Sequence, residues 1–372
     1  MKKRALTLLL AALLTLTGCA ARQSAPVTET AGVKIVGRME LSYAEQFTVD
    51  YCDGGAALVT VGGEERYLLV PDGAAEPEVE GATVLHTPLE HIYLASSGAM
   101  DSFLRLGALD SVRFTGTQAR DWSLPAVVDA LGAGTLLYAG RYRAPDYELL
   151  LSEGCSLALE NTMILHSPAT REQLEALGIP TLVERSSYES HPLGRMEWIK
   201  FYALLVGKTA EAEAFFEREA KALDSVLNAE PTGKTAAFFY LNPNGYVNVR
   251  RPGDYVAKMV ALAGGVYVPA QQDAAENAQS TVNMQLEAFY AGAKDADVLL
   301  YNSNIYPMDS LAALVAANEL FADFRAVQSG EVWATEQNVF QQTTAVGGML
   351  AELRAILSGE AEDELTYFHR LS

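Results

Sequence analysis

The chain has 372 residues, 49% hydrophobic and 9% aromatic, enough to bury two domain cores or one large one. Its 27 Lys and Arg against 47 Asp and Glu leave a net charge of −20, which argues against nucleic acid and against lying flat on anionic lipid. Five His, three Cys and no CxxC or Cys/His spacing speak against a bare zinc or manganese receptor.

The first residues predict a targeting segment. Lys2, Lys3 and Arg4 precede an apolar run from Leu6 to Leu16. That run is shorter than the roughly 20 residues a membrane-spanning helix needs and has secretory-signal proportions. It closes on Leu16-Thr17-Gly18-Cys19, which resembles the lipobox of bacterial lipoproteins. The resemblance implies a signal over residues 1–19, with Cys19 as the lipid-modified first mature residue. Two or more acyl chains hold a protein at a membrane, at about 0.8 kcal/mol per buried CH₂. Residues 20–32 lack periodicity and large apolar groups and read as a flexible tether. With Cys19 lipidated, Cys52 and Cys155 could pair, although nothing in their spacing demands it; two free buried thiols are the simpler reading.

Residues 33–82 alternate apolar and polar and are cut by Asp-Gly and Gly-Gly turns, predicting an antiparallel β-rich extension. From about Leu85, short apolar runs alternate with helical patterns: HIYLAS, AMDSFLRLGAL, VRFTGT, PAVVDALGAG, TLLYAG, APDYELLLSEG, LALEN, REQLEALGIPTLVE. Such alternation means βα units on a mostly parallel sheet. LALEN and the following MILHS both qualify as the central strand. Residues 195–206 fit a mostly buried helix. Thr209 is placed as N-cap of the next helix, in which Ala212, Phe215, Phe216, Ala220, Leu223 and Leu227 recur at three- and four-residue steps. Reaching about Asn228, it would span roughly 30 Å. A second alternating set follows, from TAAFFYLN to the last helix, TAVGGMLAELRAILSG. The predicted fold is α/β: two Rossmann-like lobes, residues 83–208 and 231–372, joined by a single long helix over 209–230, with the β-rich extension in front.

This order resembles the helical-backbone class of ABC-transporter substrate-binding proteins, receptors for iron–siderophore complexes, haem or cobalamin. The likeness covers about residues 83–358, through LRLGALDSVRFTG, APDYELLLSEGCSLAL, SHPLGRMEWIKFYALLVGKTAEAEAFF, YVAKMVALAGG, EAFYAGAKDADVLLYNS and FRAVQSGEVWA. It implies a ligand held between the lobes of a monomer without cofactor, and a permease met by one acidic residue on each lobe. The N-lobe acid matches Glu148. At the C-lobe position this chain has Lys258, and Asp254 is the nearest acid. The extension lies outside the likeness.

Ligands of open α/β sheets sit beyond the carboxyl ends of the strands, so two facing lobes put those loops in one cleft. The N-lobe loops offer Ser96, Ser97 and Met100, then Arg141, Tyr142 and Arg143, then Arg185, Ser187, Tyr188, Glu189, His191 and Arg195. The C-lobe offers Tyr240, Asn242, Tyr246, Arg250, Arg251, Asn302, Tyr306, Trp333 and Gln337. Aromatic faces cover a large ligand and guanidinium forks pair with carboxylate or catecholate oxygens, which favours an anionic ferric siderophore, with cobalamin and haem next. Arg250 with Tyr246 is the leading C-lobe pair. His191, just before Pro192, fits a helix cap better than a metal ligand, and Trp198 and Tyr255 fit the core. An enzyme is disfavoured: GxSxG and HExxH are absent, and VGKT at 206–209 lacks the phosphate-loop glycine, Tyr202 standing in its place. Glu189 and His191 could act as acid and base, but no nucleophile accompanies them. A lipid-anchored adhesion or assembly protein is the remaining alternative.

Overall fold

The computed structural model describes residues 28–30, 32–270 and 281–372. The expected signal, Cys19 and most of the expected tether lie outside them. The tether's last part departs from expectation. Thr28–Thr30 forms a strand, β1, antiparallel to β2 (Val33–Arg38), where it takes up edge backbone groups that would otherwise need water.

The extension continues through β3 (Phe47–Cys52), β4 (Ala57–Val61), β5 (Glu65–Pro71) and β6 (Ala82–Thr87), one six-stranded sheet in sequence order. Gly54 and Gly55, both at φ 97°, make the tight β3–β4 turn. β6 pairs parallel to β5 after a crossover whose Val79 covers one face of the sheet above Cys52, Leu58 and Leu68. The other face carries Val49, Val59, Tyr67 and Leu69 into the same core as Trp198, Phe201 and Leu205. Phe47 anchors this contact, its ring 4.9 Å from Trp198 and 5.6 Å from Phe201. The extension is therefore packed on the first lobe through both aromatic and aliphatic side chains.

The N-lobe sheet holds β7 (Ile92–Leu94), β8 (Val112–Thr115) and β9 (Leu137–Tyr138), with a hairpin of β10 (Gly140–Arg141) and β11 (Ala144–Pro145) beyond it, then β12 (Leu157–Glu160) and β13 (Thr181–Val183). The order is β13-β12-β7-β8-β9, all parallel. LALEN is thus the inner strand, and MILHS is a 3₁₀ turn, Thr162–His166, opened by Asn161.

The C-lobe sheet comprises β14 (Thr235–Leu241), β15 (Val247–Arg250), β16 (Val266–Tyr267), β17 (Thr281–Met284), β18 (Val298–Tyr301), β19 (Val332–Thr335) and β20 (Phe368–Arg370). β14, β16, β18 and β19 run parallel, while β15, β17 and β20 are antiparallel additions. Among the described residues the two lobe sheets share no strand.

The joining helix runs Thr209–Ala222 and resumes at Asp224–Leu227 after a break at Leu223. Its longer part is about 21 Å, shorter than the sequence suggested. Ala212, Phe215, Phe216 and Leu223 are buried as their spacing requires. Lys208, not Thr209, occupies the N-cap, and no side chain caps there. The preceding helix is likewise two segments, Pro192–Glu197 and Ile199–Val206, hinged at the buried Trp198.

Candidate functional site

The lobes meet along a seam stitched by the segment after β19. Thr343 Oγ1 donates to the Gly98 carbonyl at 2.7 Å, and the Thr344 N–H donates to Asp101 Oδ2 at 2.9 Å. Gln341 Oε1 accepts from Ser123 N and Oγ at 2.8 and 2.7 Å, while its amide donates to the Asp121 carbonyl at 2.7 Å. Arg195 lies over the Tyr255 ring at 4.8 Å. Gly98 leaves room here, since a methyl group would stand 3.0 Å from the Arg195 guanidinium and 3.4 Å from Thr343 Cγ2, so that the arginine would have to shift.

Several predicted ligand residues gather at this seam and others do not. Ser96 is buried and donates to Glu184 Oε1 at 2.5 Å; Glu184 also takes the Ser186 N–H and the Tyr202 hydroxyl. Ser97 opens the short turn beside Gly98. Arg250 reaches the seam by lying 5.5 Å from the Phe340 ring centroid, with its other side on Asp254 at 3.3 Å. Tyr246 is not its companion, since it sits exposed in the β14–β15 turn at the opposite end of β15. Tyr240 instead faces Tyr306, ring centroids 5.8 Å apart, and burial raises its hydroxyl pKa while the Arg250 charge opposes that shift. Tyr142 and Arg143 stack on each other at the β10–β11 turn, 5.3 Å apart, with the guanidinium donating to the phenol oxygen at 3.1 Å. Ser187 and Tyr188 are exposed on the turn after β13.

Met100, Asn302 and Trp333 are corrections. All three are buried: Met100 packs in the shared core, Asn302 accepts the Asn304 N–H, and Trp333 lies under Arg370 at 4.4 Å with its indole N–H on Glu331. Met100 and Trp333 occupy helix and strand positions turned inward, and Asn302, just past β18, is held by its own N–H on the Phe239 carbonyl, so proximity to a strand end brought none of them to a surface. Asp254 is a correction too. Its carboxylate caps the helix Tyr255–Leu262 through the Val256 N–H at 2.9 Å and pairs with Arg250, leaving it 3% exposed and unable to meet another protein. Glu148 is exposed on the first turn of Tyr147–Ser152.

His191 is the N-cap of Pro192–Glu197, its Nδ1 accepting the Leu193 N–H at 3.1 Å. Burial and then the Lys258 charge push its pKa down to about 4, so it is neutral above mild acidity. Glu189 is no acid–base partner, because its carboxylate accepts from Glu45 N, Gln46 N and Trp198 Nε1 at 2.7–3.0 Å.

The role of residues 39–46 was not legible from sequence. This β2–β3 loop docks on two buried carboxylates. Glu197 accepts from Ser42 N, Tyr43 N and Ala44 N at 2.8–3.0 Å and pairs with Lys200 at 2.7 Å, and Glu189 takes the next two amides. The signal for one of them was Glu197 beside Trp198 and Ile199 in a mostly buried helical stretch, which a folded chain tolerates only with several donors; Glu189, in the polar loop before Pro192, gave none. The docked loop borders a cavity of about 630 Å³ shared with Ser190, His191, Pro252, Gly253 and Lys258. Among the described residues, no cluster of three or more His, Cys, Asp or Glu could hold a metal ion, and no helix is long and apolar enough to cross a membrane.

Residues 95–339 match the periplasmic binding protein family. An uncharacterized lipoprotein of Methanocaldococcus jannaschii is 22% identical over 307 residues, covering 78% of this chain and 70% of its own. A periplasmic haem-binding protein from Pseudomonas aeruginosa has a similar fold, with TM-score 0.59 at 16% identity, over 76% of this chain and 98% of its own. A petrobactin-binding protein from Bacillus subtilis aligns with TM-score 0.56 at 14% identity, over 73% and 93%.

Proposed function

The chain belongs to the periplasmic binding protein family, and from that premise we propose that it is the lipid-anchored, substrate-binding component of an ABC importer. It captures a ferric siderophore-type iron complex between its lobes and delivers it to the permease. The supporting observation is the inter-lobe seam. Two separate sheets turn loops toward each other there, Arg195 and Arg250 lie against Tyr255 and Phe340, and Tyr240 and Tyr306 face one another on the C-lobe. Guanidinium groups and phenol rings suit an anionic complex with a broad apolar surface. Arg195, which makes no ion pair among the described residues, matters because a −20 chain otherwise repels an anion. Lipid on Cys19 would hold the receptor at the outer face of the membrane, and Glu148 would meet the permease on the N-lobe side.

Titration of the tether-free chain with ferric siderophores, haem and cobalamin, followed by tryptophan fluorescence, tests the reading. Saturable binding of a ferric siderophore is the expected result. Tight binding of cobalamin or haem alone would replace the ligand, and binding of none would remove the receptor assignment and return the adhesion alternative.

A further inference from the structure

The cavity beside His191 has walls from three parts of the chain: Tyr43 and Glu45 from the extension, Ser190 and His191 from the N-lobe, and Pro252 and Lys258 from the C-lobe. The extension wall is held rigidly, since five consecutive backbone amides from Ser42 to Gln46 end on Glu197 and Glu189. Tyr43 stacks on the His191 ring at 4.6 Å and 26°, so the two rings fix one another.

The donors at this cavity are unusual for so acidic a protein. His191 Nδ1 accepts the Leu193 N–H, so the ring proton resides on Nε2, which has no acceptor among the described residues. Lys258 is exposed, and among the described residues it makes no ion pair, although the chain has 47 acids. Lys258 and His191 line the same cavity. Glu45, the nearby carboxylate at the rim, accepts from the Ser190 hydroxyl at 3.3 Å. An ammonium, a neutral N–H donor and an aromatic face around one cavity suit a carboxylate carried on a flat or apolar body.

The geometry points to this cavity as the part of the ligand site that recognises a carboxylate on the ligand's rim, through Lys258 and His191 Nε2–H, with the β-rich extension serving as a third wall of the receptor through Tyr43. The inference rests on the receptor reading above and adds to it a ligand class, a carboxylate-bearing complex, and a role for residues 39–46.

The test titrates the tether-free chain with haem and ferric citrate, which carry carboxylates, and with a neutral ferric trihydroxamate and cobalamin. Wild type, Lys258→Met, Lys258→Arg and Tyr43→Ala are compared, with thermal unfolding followed on each. Wild type should bind a carboxylate-bearing probe more tightly than the trihydroxamate. Lys258→Met should weaken that probe at least tenfold, Lys258→Arg should restore most of the loss, and Tyr43→Ala should weaken it severalfold. The Lys258 variants should keep the wild-type unfolding midpoint, because that side chain is exposed. Equal affinity in wild type, Lys258→Met and Tyr43→Ala would overturn the inference while leaving the receptor reading intact, as would wild-type binding of only the neutral complex or cobalamin. Failure of wild type to bind any of the four would remove the receptor reading, and this inference with it.

Discussion

Removing the Glu197 carboxylate tests how the extension is attached. Glu197 is fully buried, and its two oxygens serve the backbone N–H groups of Ser42, Tyr43 and Ala44 and the Lys200 ammonium. In Glu197→Ala those three amides lose their acceptor, at about 1–3 kcal/mol for each that stays buried. The ammonium also loses its partner, and breaking a buried pair costs about 3–5 kcal/mol. Both figures are ceilings here. Ser42 is exposed, so its amide recovers a bond to water, and Lys200 keeps the Glu40 carbonyl at 3.2 Å and the Phe216 ring at 4.5 Å. A net loss of about 3–5 kcal/mol is expected, centred on the loop. Glu197→Gln, which keeps one acceptor oxygen but no charge, should lose less. The assay is urea unfolding combined with hydrogen exchange at residues 42–46. Glu197→Ala should lower the urea midpoint and expose amides 42–44 to fast exchange, with amides 45 and 46, held by Glu189, following in part. An unchanged midpoint with amides 42–44 still protected would refute the docking account.

Two further predictions concern a buried acid and the exposed one. Glu160 at the end of β12 is fully buried, neither oxygen has a partner among the described residues, and burial pushes its pKa up to about 8 from an ordinary value of 4.5. The folded chain therefore holds a proton that the unfolded chain releases between those values, so stability falls as pH rises from about 5 to 8, by at most about 1.4 kcal/mol per unit. Glu160→Gln should match wild type near pH 5 and exceed it by roughly 3–5 kcal/mol at pH 8 and above, in urea melts taken across pH; parallel pH profiles for the two proteins would contradict this. Glu148→Ala should leave ligand affinity unchanged while lowering uptake in cells carrying the cognate importer, and normal uptake would take Glu148 out of the permease contact.

The alternation of apolar runs with helical patterns located the strands of both lobes because each pattern is local. A strand buried on both faces, such as β12 with Leu157 to Glu160, reads as a continuous apolar run wherever it pairs. The same locality explains the misses. Thr209 is a good capping residue by type, but the turn closes one residue earlier and leaves it as the first helical residue. Arg250 and Tyr246 are four apart, a spacing that joins side chains on a helix but separates them along strand β15. His191 was legible as a cap because Pro192 disfavours helical geometry before it and is tolerated at a first helical position. Trp333, Asn302 and Met100 were assigned by nearness to strand ends, where side-chain direction decides function and sequence distance does not.

Composition and periodicity, read with the quoted stretches, were enough to define an acidic two-lobe α/β chain with a β-rich start, because hydrophobic pattern and turn chemistry act over a few residues. Only the tertiary structure decided that the β-rich start is built into the first lobe. Two carboxylates at least 143 and 153 positions away hold its loop, and no local signal encodes which distant amides a buried glutamate will find. The same long-range choice carried Tyr43 to His191 and Lys258, and so brought one cavity wall from each of three parts of the chain.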